Sequence, residues 1–324
     1  MSGKRLHSLA ALLWIGNLLL GIVLAGGWFW FNRLPPARAE ADPAQAVLSP
    51  KQPTRTPKAS VTPWPTPTRR PTITPWPTPS PAPSVTPWKI RPANVREIGQ
   101  SVEGRPLETY RFGLGPSVKL IVAGIHGGYE PNTIALAYEL IAYLSDHPEK
   151  VPADTTLYIL PNLNPDGYAR KIGVDGRANA NNVDLNRNWP YNWQAEWNRD
   201  GCWIWRPITG GSGPASEPEV QALIAFIDEI RPQALISYHS AALGIFAGGR
   251  PDFPPSIRLA EAVAEVTTYP WPPINTGCDY TGNLTDWAAN TRGIPSIDIE
   301  LTNHRDTDFE MNLRVLQVFL TWKP

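Results

Sequence analysis

Between about Pro35 and Pro92 the chain is rich in Pro, Thr and Ser and nearly free of aliphatic residues, so this stretch cannot bury a core. The hexapeptide Thr62-Pro63-Trp64-Pro65-Thr66-Pro67 is repeated at Thr74 to Pro79 and begins again at Thr86-Pro87-Trp88, which spaces the tryptophans 12 residues apart. Such a segment is expected to be disordered and extended, in the polyproline II conformation. At about 3.1 Å per residue, some 50 residues reach on the order of 150 Å. The chain is thereby divided into three parts: residues 1–34, the linker 35–92, and residues 93–324, where any folded domain must lie. The linker reads either as a stalk across a surface layer or as a passive spacer, with ligand binding by the Trp repeats as a third option.

Lys4, Arg5 and His7 precede a stretch from Leu9 to Phe31 that contains no charged residue. At about 1.5 Å per residue it spans roughly 34 Å, enough for a hydrocarbon core of about 30 Å. Trp28, Trp30 and Phe31 cluster at its far end, where interfacial aromatics belong. The expectation is a transmembrane helix that anchors the chain to the membrane and leaves residues 93–324 extracytoplasmic. Ala37-Arg38-Ala39 also fits a small-x-small cleavage site, and cleavage there would release a secreted protein. Lys plus Arg and Asp plus Glu number 29 each, so bulk charge gives no case for nucleic acid as partner. The 2 cysteines, Cys202 and Cys278, are too few for a disulfide scaffold; outside the membrane they form either one disulfide or two separate thiols.

Within 93–324, apolar runs at Leu120–Ala123, Leu157–Leu160, Ala234–Ile236 and Ile297–Leu301 read as buried strands. Helical spacing joins Ile134, Tyr138, Ile141 and Leu144, then Val220, Leu223, Ile224 and Ile227, then Phe309, Leu313, Leu316 and Leu320. Ser216-Glu217-Pro218-Glu219 reads as a capping box. Strands interleaved with helices predict an α/β fold with a mostly parallel or mixed central sheet flanked by helices.

Polar residues gather at the ends of these strands. The first runs into Ile125-His126-Gly127-Gly128-Tyr129-Glu130, the third ends at Tyr238-His239-Ser240, and the last ends on Glu300. Ligand sites in open α/β sheets form at the carboxyl ends of strands, so His126, Glu130, His239 and Glu300 are expected to converge. Two imidazoles and a carboxylate make a three-ligand zinc site with its fourth position open.

Five ordered motifs sharpen this reading: His126-Gly-Gly-Tyr-Glu130, Asn164-Pro-Asp-Gly-Tyr168, Val183-Asp-Leu-Asn-Arg-Asn-Trp189, Tyr238-His-Ser240 and Ile299-Glu-Leu301. Together with Ile98–Arg105 and Thr285-Asp286-Trp287, they resemble the signature series of the carboxypeptidase A/B-like zinc metallopeptidases across essentially all of residues 93–324. The resemblance implies one Zn2+ held by His126, Glu130 and His239. It also implies that Asn186 and Arg187 hold a peptide's free C-terminal carboxylate, that Arg177 polarises the scissile carbonyl, and that Glu300 is the general base. Tyr280 stands near the family's mobile tyrosine and is either a pocket cap, a helper for the leaving amine, or packing. Thr285 resembles the base of the specificity pocket, where a short polar side chain selects weakly and does not match an acidic base made for Lys or Arg, although Asp279 is close in sequence. One departure stands out: the family usually leaves two residues between the first His and the Glu, and here Gly127, Gly128 and Tyr129 make three. The expected function is an extracytoplasmic carboxypeptidase. The alternatives are a related zinc amidohydrolase acting on N-acyl amino acids and an inactive surface-binding relative.

Overall fold

Seven strands form one mixed sheet: β1 (Asn94–Gln100), β2 (Pro106–Gly113), β3 (Ser117–Val122), β4 (Thr155–Leu160), β5 (Ala234–Ser240), β6 (Ile245–Ala247) and β7 (Ser296–Leu301), in the spatial order β1-β2-β4-β3-β5-β7-β6. β4, β3, β5 and β7 run parallel, while β1, β2 and β6 add antiparallel edges. Among the described residues six helices accompany them: α1 (Pro131–Asp146), α2 (Pro165–Arg170), α3 (Pro218–Ile230), α4 (Pro254–Ala264), α5 (Leu284–Arg292) and α6 (Phe309–Thr321). This computed structural model describes residues 94–324 apart from 203–207, 242 and 279. The expected membrane anchor, the Pro-rich linker and Asp279 lie outside the described residues. No helix among the described residues is long and apolar enough to cross a membrane.

Side-chain alternation in the strands sorts the core into two layers. Ile121, Ile159, Ile236, Tyr238, Ile297 and Ile299 pack with Leu140 of α1, Leu259 of α4 and Phe319 of α6. Leu120, Val122, Leu160 and Leu235 face the other way, onto Leu223 and Phe226 of α3 and Trp287 of α5. Helices therefore cover both faces, as the interleaved pattern predicts. Each of these fully buried aliphatic side chains contributes about 1.5–3 kcal/mol relative to leaving it in water. The sheet meets expectation at all four expected strands. β1, β2 and β6 carry no long apolar run and were not anticipated.

The capping box does not form. Glu217 occupies the cap of α3 with no side-chain cap hydrogen bond. Ser216 Oγ instead donates to Glu217 Oε1 at 2.7 Å and receives Asn188 Nδ2 at 3.0 Å. Glu219, the other half of the box, accepts from Val102 N at 3.2 Å and Asn179 Nδ2 at 3.2 Å. These long-range polar contacts outcompete the local motif.

The strand order reverses beside β3, because the chain moves from β3 outward to β4 and then returns past β3 to β5. Such a switch point opens a crevice at the strands' carboxyl ends. His126 follows β3, His239 ends β5, and Glu300 is the register partner of His239 on β7. Ser237, His239, Asp298 and Glu300 thus share one face of the sheet, while Tyr238, Ile297 and Ile299 point into the opposite layer.

Lys119, within β3, is fully buried. Its ammonium donates to Trp322 O and lies over the Phe319 and Trp322 rings. Burial lowers its pKa to about 8, from an ordinary value of 10.5. Between those two pH values the unfolded chain keeps a proton that folded Lys119 releases, so its contribution to stability rises with pH and is least favourable below pH 8. From pH 7 to pH 10, urea denaturation is expected to show the native protein gaining on the order of 1 kcal/mol relative to Lys119→Met. Parallel pH responses of the two proteins would contradict this.

Candidate active site

The extra residue between His126 and Glu130 is absorbed by a single 3-10 turn, Gly127–Tyr129. Gly127 takes φ +46°, and a Cβ on Gly128 would stand 2.1 Å from Lys171 O. Only glycine lets this turn press against α2 and the Arg177 loop. The result is that Glu130 Oε1 lies 2.7 Å from His126 Nδ1 despite the longer spacing.

His239 Nδ1 lies 3.2 Å from Glu130 Oε2 and 3.3 Å from His126 Nδ1. All three side chains are buried, and their donor atoms lie within 4.8 Å of one another. Zinc bonds to N and O of about 2.0–2.1 Å imply ligand–ligand edges of about 3.3 Å in a tetrahedron. The His239–His126 and His239–Glu130 separations fit that edge, while Glu130 approaches His126 more closely through its other oxygen. The donor set, two imidazoles and one carboxylate, also fits zinc. The outer ring nitrogens are supported in turn: His126 Nε2 is 3.2 Å from Asp184 Oδ1, and His239 Nε2 is 3.0 Å from Ser237 Oγ and 3.4 Å from Asp298 Oδ1. Partners of this kind fix the ring orientation of metal-binding histidines.

The electrostatics reflect this crowding. Burial alone would raise the Glu130 carboxyl, but His126 and His239 outweigh it and hold the group well below the usual range. His239 is driven the other way: burial would lower it, and Glu130 and Asp298 raise it well above an ordinary histidine. Asp184 is held down by Arg177 and His126 against its own burial. Burial, together with the Glu130 charge, pushes Glu300 up to about 8.

Arg177 Nε donates to Asp184 Oδ2 at 3.0 Å, and its Nη1 lies 3.6 Å from Glu130 Oε1. Asn164, which caps α2 through Gly167 N, also holds Arg177 O at 3.0 Å. Upstream, Ser101 Oγ and Glu103 N bond the buried Asp166 of α2 at 2.6 and 2.9 Å, tying the β1–β2 turn to the same element. The Asp184 carboxylate therefore pairs with Arg177 and His126 through side-chain contacts, and not with Arg187. Asp184 lies inside the recognised motif Val183–Trp189, but nothing in the motif marks its place beside His126.

Arg187 is buried, and burial lowers its pKa. Its Nη1 donates to Asn186 O at 2.7 Å, while its Nε has no hydrogen-bond partner. The guanidinium lies between the Trp197 and Tyr280 rings, at 5.2 and 5.5 Å. Asn186 Oδ1 accepts from Leu284 N at the start of α5, and its Nδ2 is 3.3 Å from His239 Nε2. Cys202 and Cys278 form a disulfide at the edge of this region, settling the alternatives left open by the sequence.

All eight residues expected at the site, His126, Glu130, Arg177, Asn186, Arg187, His239, Tyr280 and Glu300, line one cavity of ≈ 640 Å³. Four buried polar atoms in its walls lack hydrogen-bond partners: Arg187 Nε, Asp298 Oδ1, Glu300 Oε2 and His304 Nε2. Buried polar atoms without partners are rare, and these four all belong to residues that line the one cavity. Asp298, His304 and Tyr129 were not anticipated; Asp298 shares the strand face of Glu300.

The sequence profile of the family described as zinc carboxypeptidase matches residues 91–318. Among curated proteins, murein peptide amidase A of Escherichia coli K12 is 29% identical over 210 residues, covering 61% of this chain and 78% of that protein. The human carboxypeptidase N catalytic chain is 38% identical over 123 residues, 30% of this chain and 26% of that one. The crystal structure of murein-tripeptide amidase from Escherichia coli O157 superposes with a TM-score of 0.53 at 27% identity, over 71% of this chain and 92% of that one. Thrombin-activatable fibrinolysis inhibitor gives a TM-score of 0.59 at 22% identity, over 70% and 68% of the two chains, a likeness of fold alone.

If Asp184 orients His126 toward a metal, Asp184→Asn is expected to weaken zinc affinity by about 10–100-fold while the domain stays folded. Competition with a chelating dye, with circular dichroism as the folding control, measures this. Unchanged affinity would assign Asp184 to Arg177 alone.

Proposed function

The chain belongs to the zinc carboxypeptidase family, and from that premise we propose that it hydrolyses the amide bond joining a peptide to its last residue, which bears a free carboxylate. The observation that carries this reading is the buried, incompletely bonded Arg187 guanidinium in the same cavity as the His126, Glu130 and His239 donor set. A buried guanidinium of this kind is suited to a carboxylate, which its planar fork can bond twice. Asn186, next to it, is placed to share that carboxylate, and the Tyr280 ring lines the same cavity 5.5 Å from the guanidinium.

Zinc, when bound by His126, Glu130 and His239, supplies a Lewis acid for the scissile carbonyl and makes water more acidic. Glu300 takes the proton from the attacking water and passes it to the leaving amine. A carboxylate pushed up toward neutrality by burial and Glu130 is suited to both halves of that transfer. Arg177, fixed by Asp184 and the Asn164 cap, presents a preorganised positive charge to the oxygen on which charge develops. Because these groups are already held by their neighbours, little reorganisation is needed when the substrate enters.

The curated relatives named murein peptide amidase support a substrate of cell-wall peptide character. The same names favour the second reading, a zinc amidohydrolase acting on N-acyl amino acids. We place the domain outside the cytoplasm, tethered through the Pro-rich segment to an apolar anchor. The Cys202–Cys278 disulfide supports that placement, since such bonds persist in oxidising compartments.

One experiment tests the mechanism: turnover of a peptide and its C-terminal amide by the wild type and by Glu300→Gln. The amide is expected to react at least about tenfold more slowly, reflecting the lost charged hydrogen bonds to Arg187. Glu300→Gln is expected to keep its zinc and lower kcat by about 10²–10⁴. Equal rates on acid and amide would contradict exopeptidase action, and a near-normal kcat in the variant would remove Glu300 as base.

A further inference from the structure

Asn132, in the first turn of α1, donates through Nδ2 to Asn303 O at 2.6 Å and to Asp306 O at 2.9 Å. Both of its N–H bonds are thereby used, so its Oδ1 meets Ser240 as an acceptor, and Ser240 Oγ donates to it at 3.0 Å. A hydroxyl has one proton to give. The 2.9 Å contact between Ser240 Oγ and His304 Nδ1 therefore carries the imidazole's proton, with Nδ1–H donating to Ser240. Burial lowers the pKa of His304 and favours the neutral ring, in which Nε2 is left with a lone pair. That nitrogen is buried and has no hydrogen-bond partner, and His304 lines the cavity.

His304 lies in the loop between β7 and α6, and these hydrogen bonds tie that loop to α1 and to the end of β5. Its ring lies 4.9 Å from that of Tyr129, the last of the three residues between His126 and Glu130. The Arg177 guanidinium lies over the same Tyr129 ring, at 5.3 Å. Arg187 has different neighbours, the rings of Trp197 and Tyr280. His304 thus belongs with Arg177 in the cavity wall, and it offers an acceptor where the wall has no donor for it. A peptide carries an N–H at each ordinary residue, whereas a simple acyl group such as acetyl or benzoyl carries none.

We propose that His304 is a substrate-binding residue whose Nε2 accepts a hydrogen bond from a backbone N–H in the acyl half of the substrate, so that peptides are preferred to simple N-acyl amino acids. This rests on the reading that Arg187 holds the terminal carboxylate and Arg177 faces the scissile carbonyl. The chain that precedes the carbonyl then runs away from Arg187, past Arg177 to Tyr129 and His304. Asn132 and Ser240 fix both the orientation of the imidazole and the nitrogen that bears its proton, so the acceptor is in place before the substrate enters. A simple acyl group offers no donor and leaves Nε2 unbonded. A role limited to steadying Tyr129 or Ser240 would affect every substrate alike.

The test uses the zinc-loaded full chain and an N-acetylated tetrapeptide whose C-terminal residue is chosen from a mixed set as one the wild type releases. Two analogues carry an ester oxygen in place of the N–H of the penultimate residue or of the residue before it. An ester keeps the length and planarity of the amide but has no proton to donate, and the scissile amide is the same in all three. Release of the C-terminal residue is followed. In the wild type, one of the two esters is expected to lower kcat/KM by about tenfold or more, the scale of leaving a buried acceptor without its donor. In His304→Phe, which keeps a ring against Tyr129, the amide-to-ester ratio is expected to fall to within a few-fold of one; His304→Leu serves if the phenylalanine disturbs the fold. A wild-type enzyme indifferent to both esters overturns the proposal whether or not a variant folds, and so does an ester loss that persists in the folded variant. Equal cleavage of all three peptides leaves the carboxypeptidase reading standing, whereas release of no C-terminal residue from any all-amide peptide of the set contradicts that reading itself.

Discussion

Nδ1 of His126, Nδ1 of His239 and the two carboxylate oxygens of Glu130 meet in a buried space with contacts of 2.7–3.3 Å. Two imidazole nitrogens that close, beside a carboxylate and away from bulk water, need a cation between them. The raised proton affinity of His239 and the depressed pKa of Glu130 express the same demand. A metal displaces the proton and satisfies all three at once, so metal affinity and protonation are coupled here. This one convergence joins the end of β3, the start of α1 and the end of β5, and the remaining features of the site are arranged around it.

Position in the sheet makes the convergence possible. The reversal of strand order beside β3 opens a crevice where polar side chains can end buried strands without disturbing the core. On the opposite face of the same strands Tyr238, Ile297 and Ile299 pack under the helices. Backbone-on-backbone packing then fixes the loop that carries Arg177: Gly128 sits against Lys171 O, and Gly176 against Gly128. The cost of such a site is a set of polar atoms left unbonded. Those of Arg187, Glu300, Asp298 and His304 all open on the one cavity, which makes them the natural contacts of a substrate.

Much of this was legible in the sequence because a buried parallel strand has a strong apolar signature and a histidine at its end breaks that signature sharply. His126, His239 and Glu300 were visible in this way, and all line the cavity. The antiparallel strands β1, β2 and β6 were not, since strands with polar faces, or only three residues long, lack that contrast. Lys119 was invisible for a different reason: its burial depends on rings of Phe319 and Trp322, some 200 residues later in the chain. The expected capping box failed because contacts to Val102, Asn179 and Asn188 took its side chains. Asp184 stood inside a recognised motif, yet which of its neighbours it served was decided only by the loop that brings Arg177 back over it.

The central claim is that these three side chains form one zinc centre. X-ray diffraction from zinc-loaded crystals, collected on both sides of the zinc absorption edge, tests it most directly. The account predicts a single strong anomalous peak about 2.0–2.2 Å from His126 Nδ1, a Glu130 oxygen and His239 Nδ1, with Asp184 in contact with His126 and not with the metal. A zinc ion bound elsewhere, or held through Asp184 in place of Glu130, would contradict it.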